Sequence, residues 1–343
     1  AADAAIAAQM VLSLVEPQSS GIGGGAFLLH YNAKSGVIES FDGRETAPKS
    51  AHPKMFLMAN GKPKKFFDAV VGGSAVGVPG LVRMLEMVHQ EHGNLPWADL
   101  FRPAIQIAEK GFPVSSRLAG QLSREKYLRK TPAALGYFYH PNGANKLAGT
   151  ILKNPPFAAT MRQIAKGGAD AFYTGPIAES IVLAVRDAKR NKGGMTLIDL
   201  ANYRAVKRRP VCANYRTKLV CGMGPPSSGG LSTLQILGLL SGFNMKNITP
   251  ASLEAVHLLG EAGALAFADR NAYVGDSDFV NVPTKEMIDS GYLERRAKKI
   301  NIRRAGGRRK AGEPGIPGAR RLSPHEGYEG LSTTHLSVVD ANG

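Results

Sequence analysis

Cysteine is nearly missing from this 343-residue chain, which has only Cys212 and Cys221. Two thiols can build neither a disulfide scaffold nor a cysteine-based zinc site, and whether they pair with each other or stay free is open from sequence. Tryptophan occurs once and aromatic residues make up 7% of the chain. No apolar run reaches the roughly 18 residues that a membrane-spanning helix needs. Acidic residues are also scarce, 27 against 43 Lys and Arg, for a formal charge of +16. There is no repeat period, and strands and helices lack the regular alternation of a parallel sheet. What is present is an ordinary globular composition, 43% hydrophobic and 20% charged, which excludes disordered, fibrous and coiled-coil classes. At about 150 residues per domain, the length suits two domains or one large one.

The 40 glycines and 21 prolines predict many turns between short elements. Residues 4–15 carry alanine and aliphatic side chains at helical density, and Pro17 must end that helix. Two short strands follow, 26–31 and 37–41, and helical patterns cover about 80–92, 97–110, 155–166 and 177–190. A hairpin over 211–215 and 218–221 leads into helices over about 230–241 and 251–273. At the far end, His335 to Asp340 reads as a strand and Ala341-Asn342-Gly343 as the start of a turn, so the chain reads as cut from a longer protein. This mix favours layered helices and antiparallel strands.

Most short motifs have a bland reading. Gly21, Gly23, Gly24 and Gly25 precede a strand, whereas a dinucleotide loop follows a strand and opens a helix, so a tight packed turn is expected. Gly72-Gly73-Ser74-Ala75-Val76 has valine where a serine-hydrolase elbow requires its second glycine. Ser123-Arg124-Glu125-Lys126 has Ser/Lys acylase spacing without the companion motif. His89 and His92 lack a third ligand and read as solvated surface histidines.

The positive charge is local. Eleven Lys and Arg between Arg295 and Arg321, against Glu313 alone, hold +10 of the +16. With five glycines, two prolines and no aromatic ring, this stretch reads as a loop or mobile linker rather than a nucleic-acid tail. Just beyond it comes Leu331-Ser332-Thr333-Thr334-His335-Leu336. A hydroxyl residue at the head of a strand behind a mobile segment is what a self-cleaving precursor needs. The hydroxyl attacks the preceding carbonyl, and after hydrolysis the same residue becomes a new N-terminus.

Several motifs in order carry a family resemblance. They are Glu16-Pro17-Gln18-Ser19-Ser20-Gly21-Ile22-Gly23-Gly24-Gly25, Phe41-Asp42-Gly43-Arg44-Glu45-Thr46-Ala47-Pro48 and Pro225-Pro226-Ser227-Ser228-Gly229-Gly230. Ala268-Asp269-Arg270-Asn271-Ala272-Tyr273 and Thr333-Thr334-His335-Leu336-Ser337-Val338-Val339-Asp340 complete the set. The chain resembles the γ-glutamyltransferases, a family that includes cephalosporin acylases.

That resemblance implies an α+β fold, the four-layer αββα sandwich of N-terminal-nucleophile hydrolases, with its central sheets incomplete in this piece. It implies a precursor that cuts itself between Ser332 and Thr333. Residues 1–332 would then belong to the large subunit, with 295–331 a basic flexible segment before the cut, and 333–343 would begin the small one. Thr333 would be the nucleophile, acylated by glutathione or another γ-glutamyl donor and relieved by water, an amino acid or a dipeptide. Arg44 would grip the donor's α-carboxylate, for which a planar guanidinium suits better than lysine. Ser227 and Ser228 read as turn and capping residues, and Thr334 and His335 receive no chemical role. No cofactor, metal or nucleic acid is implied, and the family places the protein in the periplasm or outside the cell. The donors of the oxyanion hole would come from the small subunit, so this piece alone is expected to be inactive and poorly folded. A glutaryl or cephalosporin acylase is the nearest alternative, and a non-catalytic basic interaction protein is the alternative of another class.

Overall fold

The computed structural model describes residues 1–315 and 333–343. Its chain divides into two compact units, residues 1–27, 41–206 and 331–343 in the first, and residues 28–40 and 207–330 in the second. Among the described residues no helix is long and apolar enough to cross a membrane.

The first unit begins with α1 (Ala2–Val15), which buries Ile6, Met10 and Leu14 along one stripe and stops before Pro17. Strands β1 (Ala26–Asn32) and β2 (Val37–Gly43) carry the chain out of this unit and back. The helices α2 (Leu81–His92), α3 (Arg102–Lys110), α4 (Ser116–Arg124), α5 (Pro155–Gly167) and α6 (Gly175–Arg186) then build most of the unit. Local chemistry starts them where they start. Ser115 Oγ accepts from the Leu118 N–H at 3.1 Å and Asn154 Oδ1 from the Phe157 N–H at 3.1 Å. Prolines at the first turns of α3, α5 and α6 sit where no helical N–H is needed. Leu14, Ala108, Phe112, Leu118, Leu122, Tyr139, Leu152 and Ala158 close one core cluster of this unit.

His89 and His92 differ from the expected solvated histidines, for both are half-buried. His89 shares a hydrogen bond with the Leu95 carbonyl at 2.8 Å beside the Trp97 ring, and His92 meets Phe41 edge-on. Ser123 donates to the Gly120 carbonyl of its own helix at 2.9 Å, which is the bland reading of that motif.

In the second unit, β4 (Val211–Tyr215) pairs antiparallel with β5 (Lys218–Gly222), after the short strand β3 (Val206–Arg208), which lies beside β2 in a sheet of order β1-β2-β3. Register settles the cysteine question: Cys212 lies directly opposite Cys221 with Cα atoms 4.1 Å apart, and the two form a disulfide. Helix α7 (Gly229–Leu240) packs on this hairpin, and a Cβ on Gly222 would lie 2.5 Å from Gly230 Cα, so strand and helix meet backbone to backbone. Helix α8 (Leu253–Tyr273), capped by Ser252, and α9 (Ser290–Ala297) bury Leu258, Leu265, Tyr292 and Leu293 with Leu239 and Leu240 of α7.

Composition made residues 295–321 a loop or mobile linker; the described part, 295–315, is instead tied down. Arg295 and Arg296 belong to α9, and the Arg296 guanidinium pairs with Asp269 at 2.8 Å, with side chains 4% and 2% exposed. Asp269 also accepts from the Gly312 N–H at 2.7 Å and the Tyr292 hydroxyl at 2.7 Å, while the Tyr273 hydroxyl donates to the Gly312 carbonyl at 2.7 Å. Arg309 pairs with Glu261, which also takes the Gly306 N–H at 3.0 Å. Two buried acids that each pair with one arginine of the run are invisible in its composition, because both lie on α8. Residues 316–331 of the expected flexible segment lie outside the described residues.

The strand expected over 335–340 is not formed, since a strand is defined by its partner and none pairs with these residues among those described. Its period-two character survives: from Thr333 to Ser337, exposed and half-buried residues alternate.

Candidate active site

Arg44 stands at the end of β2 with its side chain exposed and its backbone clamped. The clamp is made of glycines. A Cβ on Gly25 would lie 2.6 Å from the Gly43 carbonyl oxygen and 2.8 Å from Arg44 Cα, and one on Gly80 would lie 2.2 Å from the same carbonyl. No larger residue fits at either position without moving backbone. Polar contacts complete the hold: the Arg44 N–H donates to Asp42 Oδ1 at 2.9 Å, and the Tyr203 hydroxyl donates to the Arg44 carbonyl at 2.8 Å. Tyr203 stacks on Tyr173, whose phenol is pushed well up by burial and donates to the Pro79 carbonyl at 2.8 Å. The guanidinium sits 5.7 Å from the Phe27 ring centroid.

The glycine cluster 21–25 is the tight turn that its order relative to the strand implies. The Gly24 N–H donates to the Gly21 carbonyl at 3.1 Å, and the Gly24 carbonyl accepts from Gly80 and Leu81 N–H groups at 3.0 and 3.1 Å. The turn therefore presents a carbonyl to the start of α2, the reverse of a phosphate-binding loop.

The same loop holds the other end of the chain. Thr333 is exposed, while its half-buried neighbour Thr334 places Oγ1 3.0 Å from Ser20 Oγ. Ser20 in turn accepts from Gln9 Nε2 of α1 at 2.7 Å. Ser20 and Gly25 are five residues apart, at most about 18 Å of extended backbone. Arg44 and Thr334 are thus both docked on the loop 16–25, within the first unit. No hydrogen bond or ring contact joins Arg44 to Thr333 among the described residues. His335 shares a hydrogen bond with Ser337 Oγ at 2.9 Å.

In the second unit, Ser227 Oγ accepts from the Gly229 N–H at 3.3 Å, as a turn residue does. Ser228 occupies the N-cap position of α7, yet its hydroxyl accepts from Arg270 Nε at 3.2 Å instead of capping the helix.

Sequence reasoning missed Gln9, Ser20 and Tyr203. Nothing local marks them: Gln9 lies on an alanine-rich helix, Ser20 reads as part of a turn, and Tyr203 is 159 residues from the carbonyl it holds.

The exposed arginine, its glycine clamp and the anchored threonine pair lie along a chain that matches one family from end to end. A sequence profile described as Gamma-glutamyltranspeptidase covers residues 1–343. The chain belongs to the γ-glutamyltranspeptidase family. It is 38% identical over 346 residues to the glutathione hydrolase proenzyme of Bacillus subtilis (strain 168), covering 99% of this chain and 58% of that protein. Another relative, the acylase ACY 1 proenzyme of Pseudomonas sp. (strain SE83), is 34% identical over 356 residues, covering 100% of this chain and 59% of that protein. The chain therefore spans less than two thirds of the length of these relatives. The crystal structure of Helicobacter pylori gamma-glutamyltranspeptidase superposes with a TM-score of 0.85 at 32% identity, covering 96% of this chain and 91% of that one. The fold is thus the α+β fold of γ-glutamyltranspeptidase structures, which are N-terminal-nucleophile hydrolases.

Proposed function

We propose that this chain is the large-subunit part of a self-processing γ-glutamyl transferase and hydrolase, with the first residues of the small subunit at its end. The observation that carries the reading is the pairing of an exposed Thr333 with an anchored Thr334, in a family member similar along its whole length to a glutathione hydrolase proenzyme.

In maturation the Thr333 hydroxyl oxygen adds to the Ser332 carbonyl carbon. The C–N bond breaks, the amine takes up the proton, and water hydrolyses the resulting ester to a Ser332 carboxylate and a free Thr333 amine. In turnover the same hydroxyl attacks the γ-carbonyl of glutathione or another γ-glutamyl amide. The Thr333 amine serves as base, since an α-amino group with pKa about 7.7–8.0 is partly neutral near pH 7. The amine of the leaving fragment takes the proton, and water, an amino acid or a dipeptide then releases the glutamyl group. Arg44 binds the donor's α-carboxylate through two parallel N–H donors. The oxyanion donors come from the small subunit of the same precursor. The protein is exported, to the periplasm or beyond.

The test is expression of the full-length gene product, followed by gel analysis and N-terminal sequencing. A new terminus at Thr333, lost in Thr333→Ala, supports the reading; a single uncleaved chain from the unmutated gene overturns it. The 34% identity to an acylase proenzyme supports a second reading, a glutaryl or cephalosporin acylase, in which Arg44 binds the carboxylate of a glutaryl group. Comparing γ-glutamyl-p-nitroanilide with glutaryl-p-nitroanilide as donors separates the two.

A further inference from the structure

Three hydroxyl residues stand in a row at the proposed cleavage site, Ser332, Thr333 and Thr334, and two adjacent threonines have the same intrinsic chemistry. Something must decide which one attacks. Each would act on the carbonyl before it, so an attack by Thr334 would cut one residue late and leave a terminus without its proper neighbour.

We propose that Ser20, held by Gln9, is the positioning residue that makes Thr333 and not Thr334 the nucleophile. This rests on the self-processing reading above. Successive side chains of an extended segment point to opposite faces, so fixing one fixes the other. Thr334 is the half-buried member of the pair and Thr333 the exposed one. The contact that fixes this register is the 3.0 Å hydrogen bond between Ser20 Oγ and Thr334 Oγ1.

The wiring behind Ser20 holds that bond in place. Gln9 Nε2 donates to Ser20 Oγ at 2.7 Å and to Ser13 Oγ at 3.3 Å, and Ser13 Oγ donates to the Gln9 carbonyl at 2.9 Å. Gln9 Nε2 and Thr334 Oγ1 thus hold Ser20 Oγ from two sides, and either hydroxyl of the Ser20–Thr334 pair can donate. A hydroxyl drawn to the inner face is turned from the carbonyl it would attack. Ser20 therefore suppresses the wrong threonine and presents the right one by a single contact. Ser20 is itself fixed by its own N–H, which donates to the Glu16 carbonyl at 3.0 Å, so the anchor is as rigid as the end of α1.

The experiment compares the full-length precursor with Ser20→Ala, Ser20→Thr, Thr334→Val and the double variant Ser20→Ala/Thr334→Val, read by intact mass and N-terminal sequencing of the small fragment. Ser20→Ala should process at Thr333 roughly five-fold more slowly, the loss of one hydrogen bond, and yield a second small fragment lighter by one threonine. Ser20→Thr, which keeps the hydroxyl, should restore the single terminus. The double variant should also give one terminus, because the competing hydroxyl is gone. A structural role for Ser20 would slow processing without creating the lighter fragment. Ser20→Ala that processes at the unmutated rate to a single terminus at Thr333 overturns the proposal while leaving the self-processing reading intact. Processing that persists in Thr333→Ala overturns that reading instead. Should Ser20→Ala fail to fold, Gln9→Met removes the donor that holds Ser20 Oγ in place and must yield the same lighter fragment.

Discussion

The hydroxyl of Tyr203 donates to the backbone carbonyl of Arg44 at 2.8 Å, joining a residue after the last helix of the first unit to the end of strand β2. Tyr203→Phe keeps the stacking on Tyr173 and leaves a carbonyl without its donor. We expect a stability loss of about 1 kcal/mol and a donor KM raised a few-fold, with kcat little changed. Arg44→Lys removes the fork itself, and the loss of a charge-assisted pair predicts a fall of roughly 10- to 100-fold in kcat/KM. Donor saturation kinetics on the processed full-length protein checks both. A Tyr203→Phe enzyme with unchanged KM would show that the carbonyl contact does not set the arginine.

Glycines around Arg44 should divide sharply by site. A Cβ on Gly80 would lie 2.1 Å from the Tyr203 hydroxyl and 2.2 Å from the Gly43 carbonyl oxygen, so Gly80→Ala must displace β2 or α2. A loss of about 3 kcal/mol or more is expected, at the upper end for overpacking. Gly23 has nothing within 4 Å of where its Cβ would stand, and Gly23→Ala should change stability by no more than about 0.5 kcal/mol. Thermal unfolding of the two variants tests the contrast, and equal melting temperatures would refute the clamp.

Much of the fold could be read from periodicity and punctuation. Helices expected over 80–92, 155–166, 230–241 and 251–273 occupy Leu81–His92, Pro155–Gly167, Gly229–Leu240 and Leu253–Tyr273. The first two carry clear apolar stripes, and proline or glycine lies at or near the ends of all four. Most of what failed depends on distant partners. Arg296 looked like one member of a charge run until Asp269, on α8, neutralised it. Helix α4 has a short pattern that its Ser115 cap makes viable. The motifs around Thr333 and Arg44 made them candidates, whereas no motif pointed to Ser20, because its partner lies 314 residues away.

Two buried carboxylates predict how the molecule responds to acid. At Glu261 burial pushes the pKa up, but the Gly306 N–H and the Arg309 guanidinium together outweigh it and hold the carboxyl below its ordinary range. At Asp199 burial is likewise overcome, here by the Lys49 N–H and the hydroxyl and N–H of Thr196. A lowered native pKa contributes stability that is complete above the unfolded value of about 4 and disappears as pH falls through the native value. Melting temperature should therefore hold from pH 7 to about 5 and fall below about 4. Glu261→Gln should melt lower at pH 7 and lose less on acidification. A parallel fall in both proteins would exclude Glu261 as a source of the acid sensitivity.

The basic segment provides the last prediction, because two carboxylates of α8 anchor it, Glu261 at Gly306 and Arg309 and Asp269 at Arg296 and Gly312. Asp269 accepts from Gln235 Nε2 at 3.3 Å, Tyr292 Oη at 2.7 Å, Arg296 Nη2 at 2.8 Å and the Gly312 N–H at 2.7 Å. Asp269→Asn preserves the shape but leaves the Arg296 charge buried without its counter-ion and turns an N–H₂ toward donors. Removing one partner of such a pair costs about 3–5 kcal/mol. Because Arg296 also donates to the Lys310 carbonyl at 3.1 Å, the loss should spread along 310–315 and expose Lys310 to trypsin, while Glu261 still holds Gly306 and Arg309. Pairing the change with Arg296→Met removes the stranded charge, so the double variant should recover part of the stability, a coupling that a double-mutant cycle measures. It should not regain resistance at Lys310, since the Lys310 carbonyl still lacks its Arg296 partner. Trypsin resistance undiminished in Asp269→Asn would mean that the segment is held by something other than this carboxylate.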